Sequence, residues 1–248
     1  MSGFIGVVCG LKSEADAVRD ATKDDKVRIG ISGANAARAE GIAKRFCEEG
    51  AVAILSVGVS GGLNPSLKPG DLVVTTKVLA RVDGEAVLVS AGMNENKLYE
   101  YDSLQYADSK SFVENAPVID AVYGRYIWGS DDIIQSADNK HDLFTRTKAI
   151  AVDMESHGAA RAAAQAGVPF IAIRAIADPA DRALPPAVLN AVAPDGSTRM
   201  FATLAAAMRD PKQFPELMKL GADSAAALKT LRRDLGLLLG RLFLSLDL

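Results

Sequence analysis

Apolar residues come in blocks along this chain, and the blocks alternate between two spacings. Residues 4–9, FIGVVC, form a continuous apolar run, the pattern of a strand buried on both faces. Gly10 ends the run, and Glu14, Ala17 and Val18 mark a helix after it. Residues 26–32 predict a second strand. Gly33 then opens a predicted helix over 36–49, with small residues along one face. Residues 51–59 are a long apolar run that enters the glycine cluster Ser60-Gly61-Gly62, and Pro65 and Pro69-Gly70 punctuate the turn after it. Residues 71–79 and 85–90 predict two further strands. Residues 94–107 are polar and aromatic without period and predict a long loop. A helix interrupted at Pro117 is predicted over 109–121, and a strand over 122–128.

Residues 149–181 carry the most information. They read strand, helix, strand, with a carboxylate at each strand exit: Glu155 after AIAV and Asp178 after VPFIAIRAIA. The alternation predicts an α/β domain, its twisted, mixed but mostly parallel sheet flanked by helices on both faces. Ligands in such sheets gather beyond the carboxyl ends of the strands. Two carboxylates at neighbouring strand ends are therefore candidates for one pocket; the plainer reading is a pair of solvated loop acids. Strand signals stop at about Ser197, which divides the chain into an α/β domain, 1–196, and a C-terminal helical extension, 197–248. Helices are predicted over 200–208 and 213–248, the second ending in the apolar tail LGLLLGRLFLSLDL. Two readings of that tail stand. It is a helix docked on the domain, or, with Arg232, Arg233 and Arg241 among its leucines, a segment lying peripherally on a membrane surface.

Composition narrows the function classes. The net charge of −3, with no basic block, argues against nucleic acid and anionic membrane as default partners. The two cysteines, Cys9 and Cys47, lack the spacing of a metal site or redox pair, and His141 and His157 have no ligand-type neighbours. Neither a metal nor a cofactor is expected, and a reduced, cytoplasmic setting fits. FIGVVC runs straight into a domain strand, so no signal peptide is read there. No apolar run is long enough to span a bilayer. Cys9-Gly10-Leu11-Lys12 is not the G-x-G-x-x-G loop that a dinucleotide would need.

The segments SGANAARAEG (32–41), SVGVSGGL (56–63), PGD (69–71), AVDMES (151–156) and RAIADPAD (174–181) together resemble the nucleoside phosphorylase and nucleosidase superfamily. They are most similar to the branch that cleaves 5′-substituted adenosines such as methylthioadenosine and S-adenosylhomocysteine. The resemblance implies cleavage of an N-glycosidic bond in a small-molecule nucleoside. It implies that Asp178 protonates adenine N7, that Glu155 grips the ribose 2′ and 3′ hydroxyls, and that Met154 packs under the sugar. It implies backbone contacts to adenine at Ile133 and Ile134, substrate contacts at Ser60 and Gly61 in the glycine turn, and a water-activating carboxylate at Glu14.

The chemistry agrees with these roles. Breaking the bond builds oxocarbenium character on the ribose and negative charge on the base. A carboxyl group protonates the base near neutrality only if its pKa is raised, and the end of an apolar strand suits Asp178 to that. Glu14 reads equally as a first-turn acid favoured by the helix dipole. Phosphorylases need an anion cradle. Val59 stands where the family has a serine, the serine having moved to Ser60, and Ser56 replaces an arginine. Water is therefore the expected nucleophile; phosphorolysis, or a non-catalytic purine binder, is the alternative. Ala177 replaces a serine usual before the catalytic aspartate, so one orienting hydrogen bond is expected to be lost. Leu11 and small Ala34 lie where the family meets the 5′ substituent. The segment after Asp181 is similar to the hopanoid-associated branch, which implies adenosylhopane, an adenosine with a large apolar 5′ group, as substrate and hopanoid biosynthesis as setting. The family implies a homodimer, and Tyr99, Tyr101 and Tyr106 make their loop the candidate intersubunit segment.

Overall fold

One strand organises the sheet. In the computed structural model, which describes residues 3–90, 121–123, 125–188, 192–198 and 213–245, β3 (Ala51–Gly62) is the longest strand and has three neighbours. β10 (Phe170–Asp178) runs parallel along one edge of it, from Ile54 to Gly61. β1 (Phe4–Cys9) pairs with the other edge only as far as Ser56, and β9 (Ala151–Asp153) joins that edge, antiparallel, at Gly61 and Gly62. Between Ser56 and Gly61 the edge is released by one strand and not yet taken up by the next. A crevice at such a change of partner is where α/β sheets hold ligands.

The remaining strands extend the sheet. β2 (Val27–Ile31) pairs with β1, and β4 (Leu72–Thr75) links β10 to β7 (Ala121–Tyr123). β5 (Val78–Val82) joins the hairpin partner β6 (Glu85–Leu88) to β8 (Ile127–Gly129), which pairs with β9. Among the described residues the sheet is mixed, six strand pairs being parallel and three antiparallel.

Three strand expectations need correcting. The run at 71–79 is two strands, β4 and β5, which lie in different parts of the sheet; Thr75 Oγ1 bonds the Arg125 carbonyl and the Lys77 N–H at the break between them. The run at 122–128 is likewise split into β7 and β8. The glycine cluster at 60–62 is strand rather than turn, because β10 and β9 both need its backbone for pairing. The predicted loop at 94–107, with its tyrosines, and the predicted helix at 200–208 lie outside the described residues, as does all but the last residue of the helix predicted at 109–121.

Helices cover both faces. On one face α2 (Ala36–Glu48) and α4 (Ser156–Ala166) pack through alanines, including Ala39, Ala43, Ala159 and Ala163. They approach so closely that a Cβ on Gly158 would lie 2.1 Å from the Ala36 carbonyl oxygen. The other face carries α1 (Lys12–Ala21) and α5 (Phe214–Ser245). Leu231, Leu235, Leu238, Leu239 and Leu242 of α5 form one helical stripe, all buried against β10, β3 and α1. The leucines that a membrane-surface helix would present to lipid face the protein core instead; Leu237, on the opposite side, is exposed. Among the described residues no helix is long and apolar enough to cross a membrane. α3 (Ala137–Thr147) is capped by the Ser136 side chain and buries Leu143 beside Trp128 and Leu63.

Candidate active site

The edge of β3 that β1 abandons is occupied by a side chain. Glu14, in the first turn of α1, is almost wholly buried. Its Oε2 accepts the N–H groups of Gly10 (2.9 Å) and Leu11 (2.8 Å), and its Oε1 accepts that of Val59 (2.8 Å). One carboxylate thus caps its own helix and stands in for a missing strand, so the first-turn reading and the site reading of Glu14 are compatible. Burial raises its pKa, against the pull of Arg174 and the three backbone donors.

Arg174, in the middle of β10, is fully buried. It donates from Nε to Asp153 (2.8 Å) and from Nη2 to Ser56 Oγ (2.6 Å) and Ser156 Oγ (2.9 Å). Nη2 also lies 3.5 Å from Glu155. Its Nη1 is buried with no hydrogen-bond partner among the described residues. A Cβ on Gly58 would meet that Nη1 at 2.5 Å and Glu14 Oε1 at 2.6 Å. The guanidinium and Glu14 therefore converge on the bare face of Gly58.

Glu155 follows β9 and starts α4. A Cβ on Gly10 would meet its Oε1 at 2.4 Å and Glu14 Oε2 at 3.4 Å, so the two carboxyls flank the same glycine. Asp153 holds the turn between β9 and α4, accepting the N–H groups of Glu155 (2.9 Å) and Ser156 (2.7 Å). Burial would lift the Asp153 pKa, but Arg174 and these hydrogen bonds pull it below the ordinary aspartate value. Glu155, by contrast, has a weaker hold: the Met154 backbone and Arg174 at 3.5 Å. Burial, with Asp153 and Glu14 nearby, pushes it up to about 8 in spite of Arg174.

A stability prediction follows from that value. The native state keeps a proton on Glu155 that the unfolded chain, with its glutamate near 4.5, gives up. The native state then binds more protons between those two values, so stability falls as pH rises through this window. Glu155→Gln removes the effect. Its thermal midpoint is expected to exceed that of the unmodified protein by several degrees above pH 8, and by much less near pH 4. Melting curves at the two pH values check this; an equal offset at both would refute it.

Asp178 ends β10, opposite Gly61 of β3. Both its carboxyl oxygens lie 3.3 Å from where a Gly61 Cβ would stand. Burial raises its pKa, opposed chiefly by Lys140 of α3, whose Nζ donates to Oδ2. Asp178 thus receives a hydrogen bond from a side chain of another element. β9 and β10 are not adjacent, contrary to the sequence expectation, since β3 lies between them. Both acids nonetheless stand beside the same central strand or its immediate neighbour β1. Glu14 and Arg174 meet at Gly58 and Asp178 stands at Gly61, about 10 Å further along β3 at three residues of strand rise.

The other sequence candidates lie on β3 and on the segments that follow β1, β2, β8 and β9. Ser60 is buried with its Oγ unpartnered, and Met154 is half-buried beside Glu155. Leu11 and Ala34 are half-buried at the ends of β1 and β2, and Ala34 takes a left-handed backbone (φ 51°). The turn at 193–196 lies against them: Lys12 N–H donates to the Gly196 carbonyl (2.9 Å), and a Cβ on Gly33 would strike the Pro194 oxygen at 2.3 Å. Ile133 and Ile134 follow β8, half-buried. Ile134 packs towards Trp128 and Leu143 and lines a cavity of about 270 Å³ with Arg81, Asp131 and His157; Glu14, Glu155 and Asp178 do not line it.

Sequence reasoning passed over Asp153, Arg174 and Lys140. Arg174 carried a visible signal, a charge inside an otherwise apolar strand. Lys140 carried none, because a lysine on an amphipathic helix reads as solvated.

Fold and crevice define the class: an α/β protein with carboxyl groups gathered at the carboxyl ends of its strands. The chain belongs to the phosphorylase superfamily, whose family model matches residues 23–209. It is 31% identical over 132 residues to a 5′-methylthioadenosine/S-adenosylhomocysteine nucleosidase of Exiguobacterium sp., and 31% identical over 138 residues to one of Baumannia cicadellinicola. These matches cover 52% and 53% of this chain but only 56% and 58% of the relatives. The fold is that of the Helicobacter pylori nucleosidase bound to butyl-thio-DADMe-Immucillin-A (TM-score 0.60, 15% identity, 94% and 97% of the two chains). It is also that of Helicobacter pylori futalosine hydrolase (TM-score 0.57, 17% identity, 93% and 96%).

Proposed function

We propose that this protein hydrolyses the N-glycosidic bond of a 5′-substituted adenosine and releases adenine. The observation that carries the reading is the arrangement along β3. Glu14 and Arg174 meet at Gly58, with Glu155 beside Glu14 at Gly10, and a buried carboxyl with a raised pKa, Asp178, stands at Gly61, three residues further along the strand. Asp178 gives a proton to N7 of the departing base. Glu155 takes the ribose 2′ and 3′ hydroxyls beside Met154. Glu14 draws a proton from water that approaches over Gly58, where the free Arg174 Nη1 donates to the water oxygen. The relatives named as nucleosidases support this assignment.

Electrostatics favour water over phosphate. Three carboxyl groups, Glu14, Asp153 and Glu155, surround one guanidinium whose other nitrogens are already engaged. Asp153, ionised against Arg174, already offsets that one cation, so a phosphate dianion there would meet no surplus of positive charge. Arg38 is no substitute, since it donates to the carbonyls of Ser32 and Gly33. For the natural 5′ group we favour a large hydrocarbon, as in adenosylhopane. Small Ala34 and the hopanoid-like segment after Asp181 support that choice, and burying the hydrocarbon would stabilise binding by roughly 25 cal/mol per Å².

The test is a panel of adenosines with growing apolar 5′ substituents, assayed for free adenine with and without phosphate. We expect adenine and a free reducing ribose without phosphate, with kcat/KM rising with the size of the 5′ group. Release only when phosphate is present would assign phosphorolysis instead, and no adenine from any member would overturn the enzymatic reading.

A further inference from the structure

Asp178 has a partner that glycosidic cleavage does not by itself demand. Lys140 is fully buried, although it lies on a helix whose flanking residues are exposed. Its Nζ donates to Asp178 Oδ2, to the Pro179 carbonyl (3.0 Å) and to the Arg182 carbonyl (2.9 Å). Three acceptors match the three N–H bonds of an ammonium, so no donor is left over for a ligand. The side chain crosses from α3 to the end of β10 and binds both the carboxyl and the turn that follows it. With Oδ2 engaged, Oδ1 is the oxygen left to meet a base. Two other charged groups bear on Asp178. They are Arg182, in that same turn, and Asp223 on α5, and they pair with each other.

We propose that Lys140 is a positioning residue that sets the acid strength of Asp178, holding Oδ2 and stabilising the carboxylate that remains once Oδ1 has given its proton to adenine. This rests on the proton-donor role of Asp178 given above. In the step, the C1′–N9 bond breaks and its electron pair goes to the purine. The proton moves from Asp178 Oδ1 to N7, water bonds to C1′, and Glu14 takes the proton that water releases. Asp178 ends as an anion against a cation already in place, so the new charge meets a pre-oriented partner. The same cation holds the resting carboxyl closer to ionisation than burial alone would.

The consequence is a pH signature. Activity that needs a protonated Asp178 declines as pH rises through its pKa, and removing the ammonium moves that decline upward. The experiment compares pH profiles of kcat/KM for adenine release from 5′-methylthioadenosine. The forms compared are the unmodified protein, Lys140→Met, Lys140→Gln and Lys140→Arg. Both neutral variants are expected to lose plateau rate and to shift the alkaline limb up by about one to three pH units, whereas Lys140→Arg brings the limb back towards its original position. Lys140→Gln keeps a donor for the two carbonyls and serves should methionine fail to fold. A rate that falls equally at every pH, with the limb unmoved, would reduce Lys140 to a structural strut and overturn the proposal. Asp178→Asn separates the two levels. If that variant retains turnover, the proton-donor reading itself fails; if it is inactive while the Lys140 variants keep the original limb, only the present inference fails.

Discussion

Asparagine at position 178 is expected to lower turnover by about 10²–10⁴-fold, the usual contribution of a positioned general acid. The exchange keeps the shape of the side chain and removes its transferable proton. The fold should persist. The amide oxygen can still accept Lys140, whose other two N–H bonds remain on the Pro179 and Arg182 carbonyls. Substrate affinity should change little, because in the proposed mechanism Glu155, not Asp178, holds the ribose. The loss should therefore fall on kcat, with the Michaelis constant nearly constant. Steady-state adenine release and a melting curve on the same preparation check both halves. A variant with undiminished kcat would remove Asp178 from the reaction.

Much of this site was legible in the sequence because strand ends are legible. Asp178 closes a long, largely apolar run, and Glu155 follows a shorter one, so both stood out as polar residues where a parallel sheet delivers its ligands. What escaped was contact between elements. That β3 separates β9 from β10 depends on pairing across the sheet, which no local pattern encodes. Thr75 and Arg125 break two apolar runs that read as single strands, because side chain meets backbone across fifty positions of chain. Lys140 reaches Asp178 across thirty-eight. The C-terminal leucines were ambiguous for the same reason: a stripe at helical spacing states that one face is apolar and leaves open what covers it. The sheet face between α1 and β10 covers it here.

Arg174→Met is expected to be the most damaging single substitution to stability, about 3–5 kcal/mol. The guanidinium is fully buried and is the one cation among the described residues that Asp153, Glu155 and Glu14 share. Methionine fills much of the same volume, so the loss would come from charge rather than from a cavity. Asp153 would suffer most, since the pull that holds its pKa low would be gone while burial remained. It would take up a proton in the native state at a higher pH, and the variant should regain stability as pH falls towards the ordinary carboxylate range. Replacing both partners separates charge from packing: Arg174→Met with Asp153→Asn should recover part of the loss, because the amide can still receive the Glu155 and Ser156 N–H groups. Denaturant melts of the single and double variants at neutral and mildly acidic pH read this directly. If the double variant is no more stable than Arg174→Met, and acid brings no recovery, then Arg174 acts by packing and hydrogen bonding to Ser56 and Ser156. The shared-cation account of the carboxyl cluster would then be wrong.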